Sequence, residues 1–255
     1  MSQVVSGFVR GRRPGRLTIP ALLAVAALVG ACSSDTGPDS SLELSGASVN
    51  IGNGSAHTYV VTSPSGASTI GVSFTPTALD GLPSTDAMWD LPLPTGTALP
   101  PWDHVTINWN AQGHPPQPYM LPHFDFHFYV VSPAQQAAVQ PGPDTVTVPA
   151  ANVPQDYVSG VDAVPDMGVH WIDTTSAELH GHTFDHTLIY GFYHGGMMFI
   201  EPMITRAFLA SHPDVTVPVK QPQSFQKPGR YPTYYSVTTD GSGNVRVALD
   251  SLRER

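Results

Sequence analysis

Between Arg16 and Arg206 the chain contains neither lysine nor arginine, yet the same stretch carries 16 of its 20 acidic residues and ten of its 11 histidines. A fold built from such a segment cannot neutralise a buried carboxylate with the usual side-chain cations. Each acidic group must stay solvated or find a histidine, backbone donors or a metal ion. Glycine and proline supply 49 of the 255 residues, which favours short strands joined by turns and rules out a helical bundle. With 41% hydrophobic residues the chain can bury a real core, so extended disorder is excluded. Eleven basic residues against 20 acidic ones leave no phosphate-neutralising surface, and nucleic acid is not the partner.

Arg10, Arg12, Arg13 and Arg16 precede an apolar run from Ile19 to Gly30, too short to span a bilayer as a mature helix. The run ends Leu28-Val29-Gly30-Ala31-Cys32, which resembles a bacterial lipobox, with cleavage before Cys32 and acylation of its thiol. Residues 1–31 therefore read as a lipoprotein signal peptide, 32–41 as the lipidated cysteine with a flexible tether, and 42–255 as a single β-rich domain. The expectation is an exported protein of the cell envelope, held on the membrane by its N-terminal lipid. Cys32 is the sole cysteine, so no disulfide is available and the fold must stand on packing or on metal. Loss of residues 1–31 leaves 7 basic residues against 20 acidic, a balance of −13.

The fold class expected from Leu42 onward is mainly β: an antiparallel sandwich or barrel with one or two short helices. Strand-like runs are Leu42–Ile51, His57–Thr62, Thr69–Thr75 and Val105–Trp109, while residues 80–101, rich in proline and leucine, read as a long loop. Helices are expected at Pro133–Gln140, opened by Ser132, and at Thr205–Ser211. Two hairpins follow, one around Gly195-Gly196 and one around Asp240–Asn244.

Chemistry concentrates in Pro122-His123-Phe124-Asp125-Phe126-His127-Phe128-Tyr129. Strict alternation puts Phe124, Phe126 and Phe128 on a core face, and His123, Asp125, His127 and Tyr129 on the other, as if lining a polar cavity. On a regular strand, residues two apart have Cβ atoms about 6.6 Å apart and residues four apart about 13 Å, beyond comfortable reach of two imidazoles on one ion. Either Asp125 ligates with one neighbouring histidine, or Pro122 bends the strand so that both histidines converge with Asp125 orienting one ring. The bent arrangement is the one expected. His170, alone in an apolar strand after a glycine turn, is a third histidine ligand. Glu201, in Met197-Met198-Phe199-Ile200-Glu201-Pro202-Met203, shares a face with Met197, Phe199 and Met203 by parity; if that face is inside, it needs a metal or a proton. The alternative puts it at the rim of an edge strand. His114 lines the same cavity, His180, His182, Asp185 and His186 form a weaker second cluster, and His57, His104, His194 and His212 are structural.

The strings PHFDFHFYVVS, PDMGVHWID and FDHTLIYGFYHGGMMFIEPMIT, preceded by WDHVTINWNAQGHPP, resemble a little-characterised family of exported bacterial proteins typified by a Thermus protein under an extracytoplasmic sigma factor. The likeness covers about residues 100–210 and implies an exported envelope domain, not a reaction. Three histidines and a glutamate are also the ligand set of cupins, but the order along the chain differs, so only the idea of a metal inside a β-fold carries over. The first function expected is a metal-dependent enzyme of hydrolase or oxygenase type. In it His123, His127 and His170 hold Zn²⁺, Mn²⁺ or Fe²⁺, with Asp125 beside them and Glu201 as fourth ligand or general base. The other is a non-catalytic envelope lipoprotein that binds a metal or small-molecule ligand, its metal replacing the missing cross-link.

Overall fold

The computed structural model describes residues 41–255; the expected signal peptide, Cys32 and the expected tether as far as Ser40 lie outside the described residues. Among the described residues two seven-stranded antiparallel sheets form the body of the fold, accompanied by two two-stranded ribbons. The first runs from edge to edge as Leu42–Ser45, Gly54–Ser63, Gly66–Phe74, Val245–Asp250, Tyr234–Thr239 and Asp214–Pro218, with Val49–Ile51 also paired to Gly54–Ser63. The second runs Ala87–Leu91, His104–Asn110, His123–Tyr129, Gly196–Thr205, His186–Tyr193, Val169–Asp173 and Tyr157–Ser159. Neither sheet closes on itself, so of sandwich and barrel it is the two-sheet arrangement that forms.

The sheets face each other through the residues that alternation assigns to the core. Phe124, Phe126 and Phe128 are fully buried in one cluster with Ile70, Val72, Phe74, Val247 and Leu249 of the first sheet. Phe74 sits between Phe124 and Phe126, with ring centroids 5.6 Å from each. Each such ring contributes roughly 1.5–3 kcal/mol by leaving water. The opposite face of the second sheet is buried too, beneath a second cluster that includes Tyr119, Val139, Phe184, Ile189, Phe199 and Met203. All seven residues of His123–Tyr129 are consequently buried, the polar ones included.

Several local expectations change. The 80–101 segment is not all loop: Ala87–Leu91, five residues free of proline, adds an edge strand by pairing with His104–Asn110. Leu42–Ile51 is split at Gly46-Ala47-Ser48 into two short strands. The helices are Pro133–Gln136, with Ser132 in a capping box, and Arg206–Ala210, with Thr205 as its cap. The first hairpin turns at His194 and Gly195, with φ of 49° and 76°, a pair of positive values that suits a two-residue loop. A β-bulge opposite Gly191 and Phe192 resets parity before Phe199, so Met197 joins the inter-sheet cluster instead of sharing a face with Glu201. Among the described residues no helix is long and apolar enough to cross a membrane.

Candidate metal centre

Glu201 stands on a central strand, not an edge, flanked by His123–Tyr129 on one side and His186–Tyr193 on the other. Ile200 pairs with Phe128 and Met203 with Asp125, so the register sets Glu201 opposite His127. On the far side, His170 pairs with Gly191, which pairs with Phe199. Gly191 has to be glycine, because a Cβ there would collide with the Phe199 ring. That ring packs edge-on against His127 at 4.6 Å and lies 5.5 Å from His170, fixing both imidazoles beside Glu201.

Among the described residues the result is two histidine–carboxylate groups, not one. His127, His170 and Glu201 form the first, and His114, His123 and Asp125 the second; in each, the ligating atoms lie within 4.8 Å of one another. In the first group Nε2 of His127 and Nε2 of His170 are each 3.6 Å from Oε2 of Glu201. In the second, Nε2 of His123 is 3.2 Å from Oδ1 of Asp125, and Nε2 of His114 is 3.7 Å from Oδ2. Ligands about 2.0–2.1 Å from a tetrahedral ion stand about 3.3 Å apart, so these separations match a shared cation better than direct hydrogen bonds.

The strand stays regular through the site, which corrects the expected bend. Each residue from His123 to Tyr129 keeps its partner on His104–Asn110, and His123 and His127 serve different groups. Backbone pairing on both sides holds this strand straight, a restraint stronger than a proline before its start.

Burial without partners distinguishes these groups. His123 and His127 are 0% exposed, Glu201 1% and Asp125 5%. Among the described residues both ring nitrogens of His127, Nε2 of His123, Oδ1 of Asp125 and Oε2 of Glu201 make no hydrogen bond. Such orphaned atoms cost about 1–3 kcal/mol each if nothing satisfies them. Burial pushes His127 down to about 3, against the pull of the Asp125 charge, and pushes His170 down to about 4. Burial, reinforced by Asp125, drives Glu201 well above the usual carboxylate range. Asp125 also feels burial, but His114 and His123 beside it outweigh that and hold it well below the ordinary value.

Two half-buried residues connect the groups to solvent, His114 at 40% and His170 at 26% side-chain exposure. Both line a cavity of about 390 Å³ that reaches Asp125 and is otherwise walled mainly by Tyr119, Met167, Ile172, Ile189 and Met203. Among the described residues no lysine or arginine lines it. His114 was legible only as a cavity residue. Gly113, at φ 70° and too close to the Tyr119 carbonyl for a side chain, makes the turn that brings it over Asp125. The cluster expected at His180, His182, Asp185 and His186 does not assemble: His180 bonds the Thr174 carbonyl and His186 the Tyr235 hydroxyl. Glu178, a carboxylate the sequence did not mark, is buried and accepts from Tyr119 Oη at 3.2 Å.

A family model described as TTHB210-like, hypothetical protein TTHB210, matches residues 67–109. That stretch covers most of Gly66–Phe74, the Ala87–Leu91 edge strand and most of His104–Asn110, and stops before the first candidate ligand. No curated protein and no solved structure matches the chain. The chain thus has a likeness to that family over two core strands and an edge, and its two ligand groups have to be interpreted from their own geometry.

Proposed function

We propose that this protein is an exported, lipid-anchored envelope protein whose His127, His170 and Glu201 bind a divalent transition-metal ion and use it in an enzymatic reaction on a small molecule. The observation that carries this reading is the convergence of Nε2 of His127 and Nε2 of His170 on Oε2 of Glu201, where among the described residues neither ring nitrogen of His127 nor Oε2 of Glu201 makes a hydrogen bond. Two imidazoles and one carboxylate are the donor set of zinc hydrolases and of non-haem iron oxygenases. Three protein donors leave room for a further ligand, and a bound ion would supply an activated water or a place for dioxygen. The chain's own residues do the rest. Phe199 locks the rings, Ile172, Ile189 and Met203 give the cavity an apolar wall, and the cavity admits a small, largely apolar body. The competing reading, a structural ion in a non-catalytic lipoprotein, calls for a closed site; the exposure of His170 toward the cavity argues against it.

Metal analysis of the full chain, purified without a polyhistidine tag, tests the centre. Bound ion should be lost from this site in His127→Ala, and a wild-type protein that takes up no ion ends the proposal. An intact fold after chelation supports a catalytic ion, whereas collapse supports a structural one. Radioactive fatty acid should label the wild type and not Cys32→Ser; equal labelling removes the anchor.

A further inference from the structure

We infer that His114, His123 and Asp125 form a second, separate binding site for a divalent transition-metal ion, filled at the same time as the centre at Glu201. The tautomers are set by the backbone. Nδ1 of His114 lies 2.9 Å from the Pro115 carbonyl and Nδ1 of His123 lies 2.6 Å from the Leu121 carbonyl. A carbonyl only accepts, so each Nδ1 carries the proton, and the neutral ring turns the Nε2 lone pair toward Asp125. This is how metal-binding imidazoles are commonly oriented by an outer hydrogen bond.

The carboxylate is prepared in the same way. Asn110 donates from Nδ2 to Oδ2 of Asp125 at 2.7 Å, which fixes the carboxylate plane and leaves Oδ1 facing His123. Two lone-pair atoms, Nε2 of His123 and Oδ1 of Asp125, then meet at 3.2 Å in a fully enclosed place where neither has another partner. Such a contact is repulsive unless something positive stands between them: an extra proton on His123 or an ion. The third donor decides in favour of an ion. Nε2 of His114 reaches the same carboxylate from the loop above, completing a set of two imidazoles and one carboxylate. At 3.7 Å from Oδ2 a proton on His114 bridges nothing, whereas an ion among the three donors engages all of them. Imidazole donors favour zinc, iron, copper or nickel over magnesium or calcium, which take oxygen.

The site is distinct from the Glu201 centre because His123 and His127 are four residues apart on a straight strand, about 13 Å from Cβ to Cβ. It stands or falls separately from that centre. Zinc titration of the metal-free full chain, read by mass spectrometry of the bound metal, should give two ions per chain. His114→Gln changes only a half-exposed loop residue and should weaken one of the two zinc ions at least tenfold; His123→Ala should remove it, and His127→Ala should remove only the other. One ion in the wild type, lost in His127→Ala and unaffected in His114→Gln and His123→Ala, overturns the second site and leaves the first. Zinc bound by none of these proteins overturns both. Should His123→Ala fail to fold, His114→Gln alone decides, since two full-affinity ions in that variant would refute the site.

Discussion

The two histidine–carboxylate groups share one sheet face, one donor set and one cavity, yet their carboxylates are driven in opposite directions. Asp125 is pinned by Asn110 and flanked by His114 and His123, which keep it ionised despite burial. Glu201 faces two imidazoles whose own burial keeps them neutral, and it is pushed toward its protonated form. The difference teaches that burial alone does not set the state of a carboxylate: what matters is whether its neighbours can carry positive charge. Without bound metal, one group keeps an ionised carboxylate and the other a protonated one.

Amide substitution should break this symmetry most strongly. In metal-free protein, Asp125→Asn removes one member of a buried charged group and is expected to cost about 3 kcal/mol in urea unfolding. At pH 4.5 or just below, where the unfolded chain is not yet fully ionised, Glu201→Gln replaces an acid that is already neutral and should cost less than about 1 kcal/mol. Equal losses would show that the two carboxylates do not differ in charge.

Metal removal comes next. An ion present at about 100 times its dissociation constant stabilises the folded state by about 2.7 kcal/mol. Chelation should therefore lower the melting temperature of the wild type by roughly 5–10 °C for each ion bound, at the roughly 2–4 °C per kcal/mol usual for a domain of this size. In Glu201→Gln the drop should shrink to the contribution of the remaining site.

How much of this was legible beforehand depended on what each residue's signal was made of. Alternation through His123–Tyr129 was enough to place the phenylalanines against the other sheet and the histidines on one separate face, because period two is a property of the strand itself. Glu201 stood out as an acid in an apolar run. The division into two groups was not readable, since it depends on which strand lies beside which: His170 reaches Glu201 only across Gly191 and Phe199. His114 comes from a loop whose path is set by the Gly113 turn and by closure onto Tyr119, a contact no periodicity encodes. The bulge that turned Met197 away from Glu201 is likewise a product of pairing.

The pH dependence sharpens the comparison further. Glu201 has its folded-state value raised above the ordinary 4.5, so as pH climbs past that point the unfolded chain ionises while the native site keeps its proton. Metal-free wild type should then lose stability relative to Glu201→Gln by up to about 1.4 kcal/mol per pH unit, until the raised value is reached. Asp125 shows the reverse sign: its value is depressed, so its contribution is present above the ordinary 3.8 and lost only on acidification below it. Parallel unfolding curves for wild type and Glu201→Gln from pH 5 to pH 8 would contradict a protonated Glu201.

The smallest effect separates the groups most cleanly because it touches no ligand. Asn110 orients Asp125 through a single 2.7 Å bond and forms no part of the Glu201 group. Asn110→Ala leaves every donor atom in place but frees the carboxylate to rotate, and outer-partner losses of this kind weaken metal binding about 10–100-fold. The expectation is the low end, about tenfold, because Nδ1 of His123 and Nδ1 of His114 keep their carbonyl anchors. Competition with a zinc chelator should register this as a shift in one of two binding constants, with the other unchanged. A shift in both would mean that the Asp125 carboxylate is shared by two ions, making the sites one coupled centre; a shift in neither would mean that backbone anchoring of the imidazoles is sufficient to hold the carboxylate's ion.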